Sequence, residues 1–127
     1  MTDKEEVRRT ERGWAGHFIC AHICRFRRNT LIEYGDKKWV VSTVGKMVTT
    51  NPQTEKSEYT TIGIDRYYET MAFVGSEIEK GYIDANVSEP IDFESDCVIY
   101  DIKVDSELRA NDMHEKVVEE LMEKIQL

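Results

Sequence analysis

Met113, Val117, Leu121 and Ile125 recur every four residues near the C-terminus, and Val118 and Met122 widen the stripe. That spacing predicts one amphipathic helix whose apolar face is broad enough to seal a sheet. Asn111 or Asp112 can cap it, and Asp112 with Glu115 has capping-box spacing. Glu115, Lys116, Glu119, Glu120, Glu123 and Lys124 form the wet face, and His114, between the capping positions, is expected to face solvent. Core packing is the first role of the stripe, and a homodimer surface is the second.

Before that helix the chain reads as strands. Residues 1–11 are charged without periodicity and are expected as a flexible end. His17 to Phe26 is apolar in both alternation classes, as in a strand covered on two sides, and Asn29 can cap or turn the chain before a second strand, Thr30 to Tyr34. Tyr34-Gly35-Asp36-Lys37 has hairpin chemistry, with Gly35 supplying positive φ. Lys38 to Val48 follows, with Trp39, Val41, Thr43 and Met47 on one face and Val40, Ser42 and Val44 on the other, and Gly45 marking a bulge or a close approach. Asn51-Pro52-Gln53-Thr54 is a loop. Thr60 to Ile64, Arg66 to Val74 and Cys97 to Val104 are strand-like. Ser76 to Lys80 suits a short helical turn, and Tyr82 to Val87 is a strand stopped by Ser88-Glu89-Pro90.

Strands first and helix last predict an α+β fold in a single domain over 1–127. Its sheet is curved and antiparallel, with about five to seven strands, and the C-terminal helix packs on it. Tight turns leave no room for parallel crossovers, which disfavours a dinucleotide-binding sheet. With 127 residues, 40% of them hydrophobic, the chain needs neither a metal nor a disulfide to fold. No apolar run approaches the roughly 18 residues of a membrane span, and the N-terminus is too charged for a signal peptide, so a cytoplasmic protein is expected.

The formal charge of −8 is unevenly spread. Residues 1–47 hold ten basic and six acidic residues, a balance of +4, whereas residues 48–127 hold seven and nineteen, a balance of −12. An acidic chain repels phosphate, so direct binding of duplex DNA is not expected. Cys20, Cys24 and Cys97 are too few for a disulfide framework. On a strand Cys20, His22 and Cys24 stand about 6.5 Å apart in successive steps, too far to converge on one metal, and small buried residues of a central strand are the simpler reading. No cofactor is implied.

Arginine binds phosphate or carboxylate through a planar fork, and aromatic neighbours can stack a base. Arg12, Trp14 and His17, then Arg27, Arg28 and Asn29, then Arg66, Tyr68 and Glu69, with Thr43 adding a hydroxyl, form a candidate pocket for an anionic, nucleotide-like ligand. Each arginine can equally pair with a nearby acid, Arg66 with Glu69 or Asp65, and Arg28 with the acidic second half. Asp84, Asp92, Glu94 and Asp96, with the helix glutamates, form a candidate acidic surface for a partner protein. His17 is the one histidine near the arginines and can act as a general base on a phosphoester. The chain lacks an HExxH, a phosphate-cradling glycine loop and a nucleophile with an orienting acid, which makes an enzyme the lesser reading.

Arg12-Gly13-Trp14-Ala15-Gly16-His17-Phe18-Ile19, Phe26-Arg27-Arg28-Asn29-Thr30-Leu31, Val41-Ser42-Thr43-Val44-Gly45 and Arg66-Tyr67-Tyr68-Glu69-Thr70-Met71-Ala72-Phe73 resemble phrases of small uncharacterised proteins from prophages and mobile elements of gut bacteria. The resemblance implies a setting in the bacterial host cell and no particular activity. Small phage proteins of this size frequently antagonise bacterial defence. The first expectation is therefore an anti-CRISPR-like inhibitor whose acidic surface binds a host nuclease or guide complex. The alternatives are a sponge for a cyclic nucleotide or ADP-ribose-like immune signal, and a small phosphoester-processing enzyme using His17.

Overall fold

The computed structural model describes residues 6–11, 23–62, 66–79, 82–91, 97–99, 101–102 and 104–125. They form strands β1 (Arg8–Glu11), β2 (Cys24–Tyr34), β3 (Lys37–Thr50), β4 (Ser57–Thr60), β5 (Tyr68–Glu79), β6 (Tyr82–Ile91) and β7 (Cys97–Ile99), then helix α1 (Ser106–Ile125). All seven strands join one curved, unclosed antiparallel sheet in the order β1-β2-β3-β5-β6, with β4 pairing to β3 and β7 to β5. The expected α+β architecture is the one observed. No described helix is long and apolar enough to cross a membrane.

Register explains how the sheet divides its residues. Arg28 pairs with Thr43 and Thr43 with Thr70, while Asn29 pairs with Ser42 and Ser42 with Met71. Partners directly opposite share a face and successive residues alternate. Phe26, Arg28, Thr30, Ile32, Trp39, Val41, Thr43, Tyr68, Thr70 and Ala72 therefore face α1, and Arg27, Asn29, Leu31, Val40, Ser42, Val44, Glu69, Met71 and Phe73 face away. Under α1, Ile32, Val41 and Ala72 meet Val117, Val118 and Leu121, with Val7, Trp39, Met113 and Ile125 around them. Each fully buried aliphatic side chain there stabilises the fold by roughly 1.5–3 kcal/mol. On the far face Ile83 of β6 packs on Leu31 and Val40.

Several local expectations give way to tertiary context. Asn29 neither caps nor turns the chain: β2 runs through it unbroken, because the ladder to β3 continues from Phe26 to Tyr34. Arg8–Glu11, expected within a flexible end, pairs with Thr30–Glu33 as the edge strand β1. Ser76–Glu79 is strand, not helical turn, and β6 continues through Pro90, which pairs with Phe73. Proline is tolerated because β6 is an edge strand among the described residues. Of the strand expected over Cys97–Val104, the described residues form β7 over Cys97–Ile99, residues 101–102 are not strand, and Val104 is fully exposed just before the helix.

Two turns follow their chemistry. Gly35 has φ 64° and Asp36 is not among the positive-φ residues, the type II′ pattern that suits a two-residue hairpin. The Asn51 side chain accepts the Gln53 backbone N–H at 2.9 Å, closing the β3–β4 loop. Gly45 is a close approach: a methyl there would collide with the Tyr68 ring and come within 2.7 Å of the Tyr67 carbonyl oxygen. Lys46, next to it, has φ 52° and interrupts the alternation, so Met47 packs with Val44, Cys24 and Ile62 instead of following Thr43.

Helix α1 begins nearly two turns earlier than its apolar stripe suggests. The Arg109 N–H donates to the Asp105 carbonyl at 3.0 Å, the first bond of the helix, and the Ser106 hydroxyl donates to the Asp101 carbonyl at 3.3 Å. Asp105 therefore occupies the capping position expected at Asn111 or Asp112.

Candidate functional site

Beneath α1 the sheet buries a chain of polar groups. His114 is fully buried, not solvent-facing, because it stands four residues after Ala110 and four before Val118 on the inner stripe. Its Nε2 lies 2.7 Å from Thr30 Oγ1 on β2, and its Nδ1 lies 2.7 Å from Thr43 Oγ1 on β3. Thr43 Oγ1 is in turn 2.7 Å from Thr70 Oγ1 on β5, and the Thr30 hydroxyl donates to Glu11 Oε2 on β1 at 3.0 Å. One helix residue is thus tied to four strands.

The charge state orders this chain. Burial raises the affinity of the Glu11 carboxyl for a proton, but hydrogen bonds from Arg28 and Thr30 outweigh it and hold Glu11 below the ordinary carboxylate range. An ionised carboxylate only accepts, so the Thr30 proton points to Glu11 and Thr30 Oγ1 must accept from His114 Nε2–H. Burial, reinforced by the Arg28 charge, lowers His114 to about 4, so the ring is neutral at pH 7. With its proton on Nε2, the ring accepts at Nδ1 from Thr43, and Thr43 accepts from Thr70. Every donor in the run from Thr70 to Glu11 then has one acceptor.

Arg28 closes the solvent end. Its Nε donates to Glu11 Oε1 at 2.7 Å and its guanidinium to Glu115 Oε1 at 2.7 Å, with Asn111 3.5 Å away. Arg9 donates to both oxygens of Glu115, at 2.8 and 3.1 Å. Hydrogen bonds from Arg9, then Arg28, hold Glu115 down at about 2.

Of the ten residues of the expected nucleotide pocket, the described ones divide between the two faces of the sheet. Arg12, Trp14 and His17 lie outside the described residues. Arg28, Thr43 and Tyr68 face α1, whereas Arg27, Asn29 and Glu69 face the opposite side of the same sheet. Arg66 donates to Glu69 Oε2 at 2.6 Å, the ion pair the sequence allowed. Arg28 already binds two carboxylates, so a phosphate there would have to displace both. Of the expected acidic surface, Asp84 stands on β6 opposite Ser76, and Asp92, Glu94 and Asp96 lie outside the described residues.

Among the described residues three side chains carry buried polar atoms with no hydrogen-bond partner: Asn29, Tyr68 and, at its Nε, Arg66. The Asn29 carboxamide is buried with neither its nitrogen nor its oxygen hydrogen-bonded, and the Tyr68 hydroxyl is likewise unpartnered. The Tyr68 ring meets Phe26 edge-on, centroids 5.5 Å apart, and burial followed by the nearby Glu107 charge pushes its hydroxyl pKa upward.

Thr43 and His114 have the spacing of a nucleophile and its base. Both are sealed, however, with Thr43 and His114 each at 0% exposure, so no substrate reaches them in this conformation. Among the described residues no cluster of three or more His, Cys, Asp or Glu could hold a metal ion. Cys24 is a buried thiol outside any disulfide, and Cys20 and His22 lie outside the described residues. No protein-family model matches the chain, and no curated protein or solved structure matches it.

Sequence reasoning named Thr43 and Arg28 but missed Thr30, Thr70, Glu11 and His114. The histidine was findable, since positions 110, 114, 117, 118 and 121 make one helical face. The threonines carried no comparable mark, because β-branched residues suit any strand.

Proposed function

We propose that this chain is a binding protein that antagonises bacterial defence by offering an acidic surface to the basic groove of a nuclease or guide complex. The observation that carries this reading is the internal neutralisation of four of its cations. Arg9 and Arg28 are held by Glu11 and Glu115, Arg66 by Glu69, and Lys46 by Glu107. Cations already paired are poor traps for an anionic signal. The outer face of α1 meanwhile presents Asp112, Glu119 and Glu123 to solvent alongside Lys116 and Lys124, with Glu119 and Glu123 one turn apart. Carboxylates repeated along a rigid rod can occupy a groove built for phosphates, with electrostatic steering of the encounter. The phage and mobile-element resemblance supplies the biological setting.

The test is affinity capture from a phage-infected bacterial lysate, read by native mass spectrometry, with the wild-type chain and the E119K/E123K variant side by side. The expected result is a nuclease or guide complex retained by the wild type, released as salt rises toward about 1 M, where screening acts over roughly 3 Å, and absent from the variant. Inhibition of that enzyme by the purified chain then completes the test. Capture that is indifferent to both salt and charge reversal overturns the reading.

A further inference from the structure

The β2–β3 hairpin runs past the C-terminal end of α1, and between them lies a half-open cleft of about 410 Å³ lined by Tyr34, Asp36, Lys37, Trp39, Lys124 and Ile125. That volume is toward the lower end of ordinary small-ligand sites, about 300–1,000 Å³. Its lining is unlike the rest of an acidic protein: two lysines against one aspartate, beside two aromatic rings.

Position and packing make these residues a formed wall. Ile32 pairs with Trp39 and Tyr34 with Lys37, so Tyr34 and Trp39 are diagonal neighbours on the α1 side of the sheet, within reach of one another. Trp39 also packs against the cluster of Ile32, Val41, Val117, Val118 and Leu121, which fixes its place. The tight turn at Gly35 sets Lys37 directly across from Tyr34. Aromatic walls take a planar ring by stacking, and an ammonium at their edge takes an anionic group.

Polarity tells which end of such a ligand goes where. The last turn of α1 is the negative end of the helix dipole, which disfavours an anion beside Ile125. The anion therefore belongs at the hairpin, on Lys37, and the ring belongs toward Trp39 and Ile125. We propose that this cleft binds a nucleoside monophosphate, its base seated against Tyr34 and Trp39 and its phosphate on Lys37. The site is separate from the acidic outer face of α1 and does not depend on it.

The experiment is a fluorescence titration of the full chain with AMP in a Trp14→Phe background, where Trp39 is the one tryptophan. Saturable quenching is expected with half-saturation at roughly 1 mM or below. Adenosine should bind about tenfold more weakly and inorganic phosphate should not quench. Lys37→Glu should weaken AMP about tenfold, Lys124→Glu by less, and Glu119→Lys/Glu123→Lys not at all. Trp39→Ala risks the core, so Tyr34→Ala serves as the aromatic variant, its fold checked by amide NMR. Absence of saturation overturns the site, as does adenosine binding equal to AMP, or AMP binding unchanged in both Lys37→Glu and Tyr34→Ala.

Discussion

Thr30, Thr43, Thr70 and His114 beneath α1 are as deeply buried as Asn29 on the far face of the same sheet, yet the two sets are treated differently. Each hydroxyl of Thr30, Thr43 and Thr70 and each ring nitrogen of His114 has a partner at 2.7–3.0 Å, in a run that ends on a carboxylate at the surface. On the far face the Asn29 carboxamide has none. A satisfied buried chain fixes position, because sliding α1 by one residue would strand several polar groups at once. An unsatisfied carboxamide only costs. The threonine–histidine run therefore explains why the helix docks where it does, and Asn29 marks where the fold gives up stability.

The largest test of this contrast removes its centre. His114→Ala deletes the ring and leaves the Thr30 and Thr43 hydroxyls without it, and should cost roughly 3–5 kcal/mol in urea unfolding at pH 7. A loss below about 1 kcal/mol would mean that the run does not hold the helix.

Acid should reach the same residue more gently. His114 titrates at about 4 when folded against 6.5 when free, so the unfolded chain binds the extra proton between those values. Its contribution is complete above pH 6.5 and is lost as pH falls to 4, on the order of 3 kcal/mol in all. Glu115, at about 2 against 4.5, contributes above pH 4.5 and loses that contribution as pH falls toward 2. Unfolding free energy measured from pH 7 to 3 should show both slopes, and His114→Gln should erase the upper one only. An unchanged upper slope in that variant would assign it to another group.

On the far face the sign reverses. Asn29→Leu replaces two unpaired polar atoms with a side chain of the same branched shape beside Leu31, and should raise stability by about 1–2 kcal/mol, seen as a melting temperature several degrees higher. Destabilisation would show that the carboxamide has a partner after all.

The architecture was legible because it rests on periodicity. The Met113-Val117-Leu121-Ile125 stripe marked the helix, and Gly35 and Asn51 marked the turns. What escaped depends on partners distant in sequence. Asn29 looks like a cap until Ser42 pairs with it, and Arg8–Glu11 looks unstructured until β2 supplies a ladder. The Arg28 cluster was half legible. Its residue types suggested anion capture, but that Glu115, 87 residues on, fills the fork could be known only once α1 was folded back.

The smallest effect lies at the rim of the helix-side network, where the contrast should fade. Arg9 binds Glu115 with good geometry, but the two side chains are 35% and 39% exposed, and Glu115 keeps Arg28 when Arg9 is removed. An exposed pair with a redundant partner recovers little Coulomb energy and pays side-chain entropy. Arg9→Gln should therefore cost about 0.5 kcal/mol or less in low salt and nothing measurable near 1 M, where screening acts over roughly 3 Å. Urea unfolding at the two salt concentrations separates the cases. A salt-independent loss above about 1 kcal/mol would place Arg9 in the buried network beside Glu11.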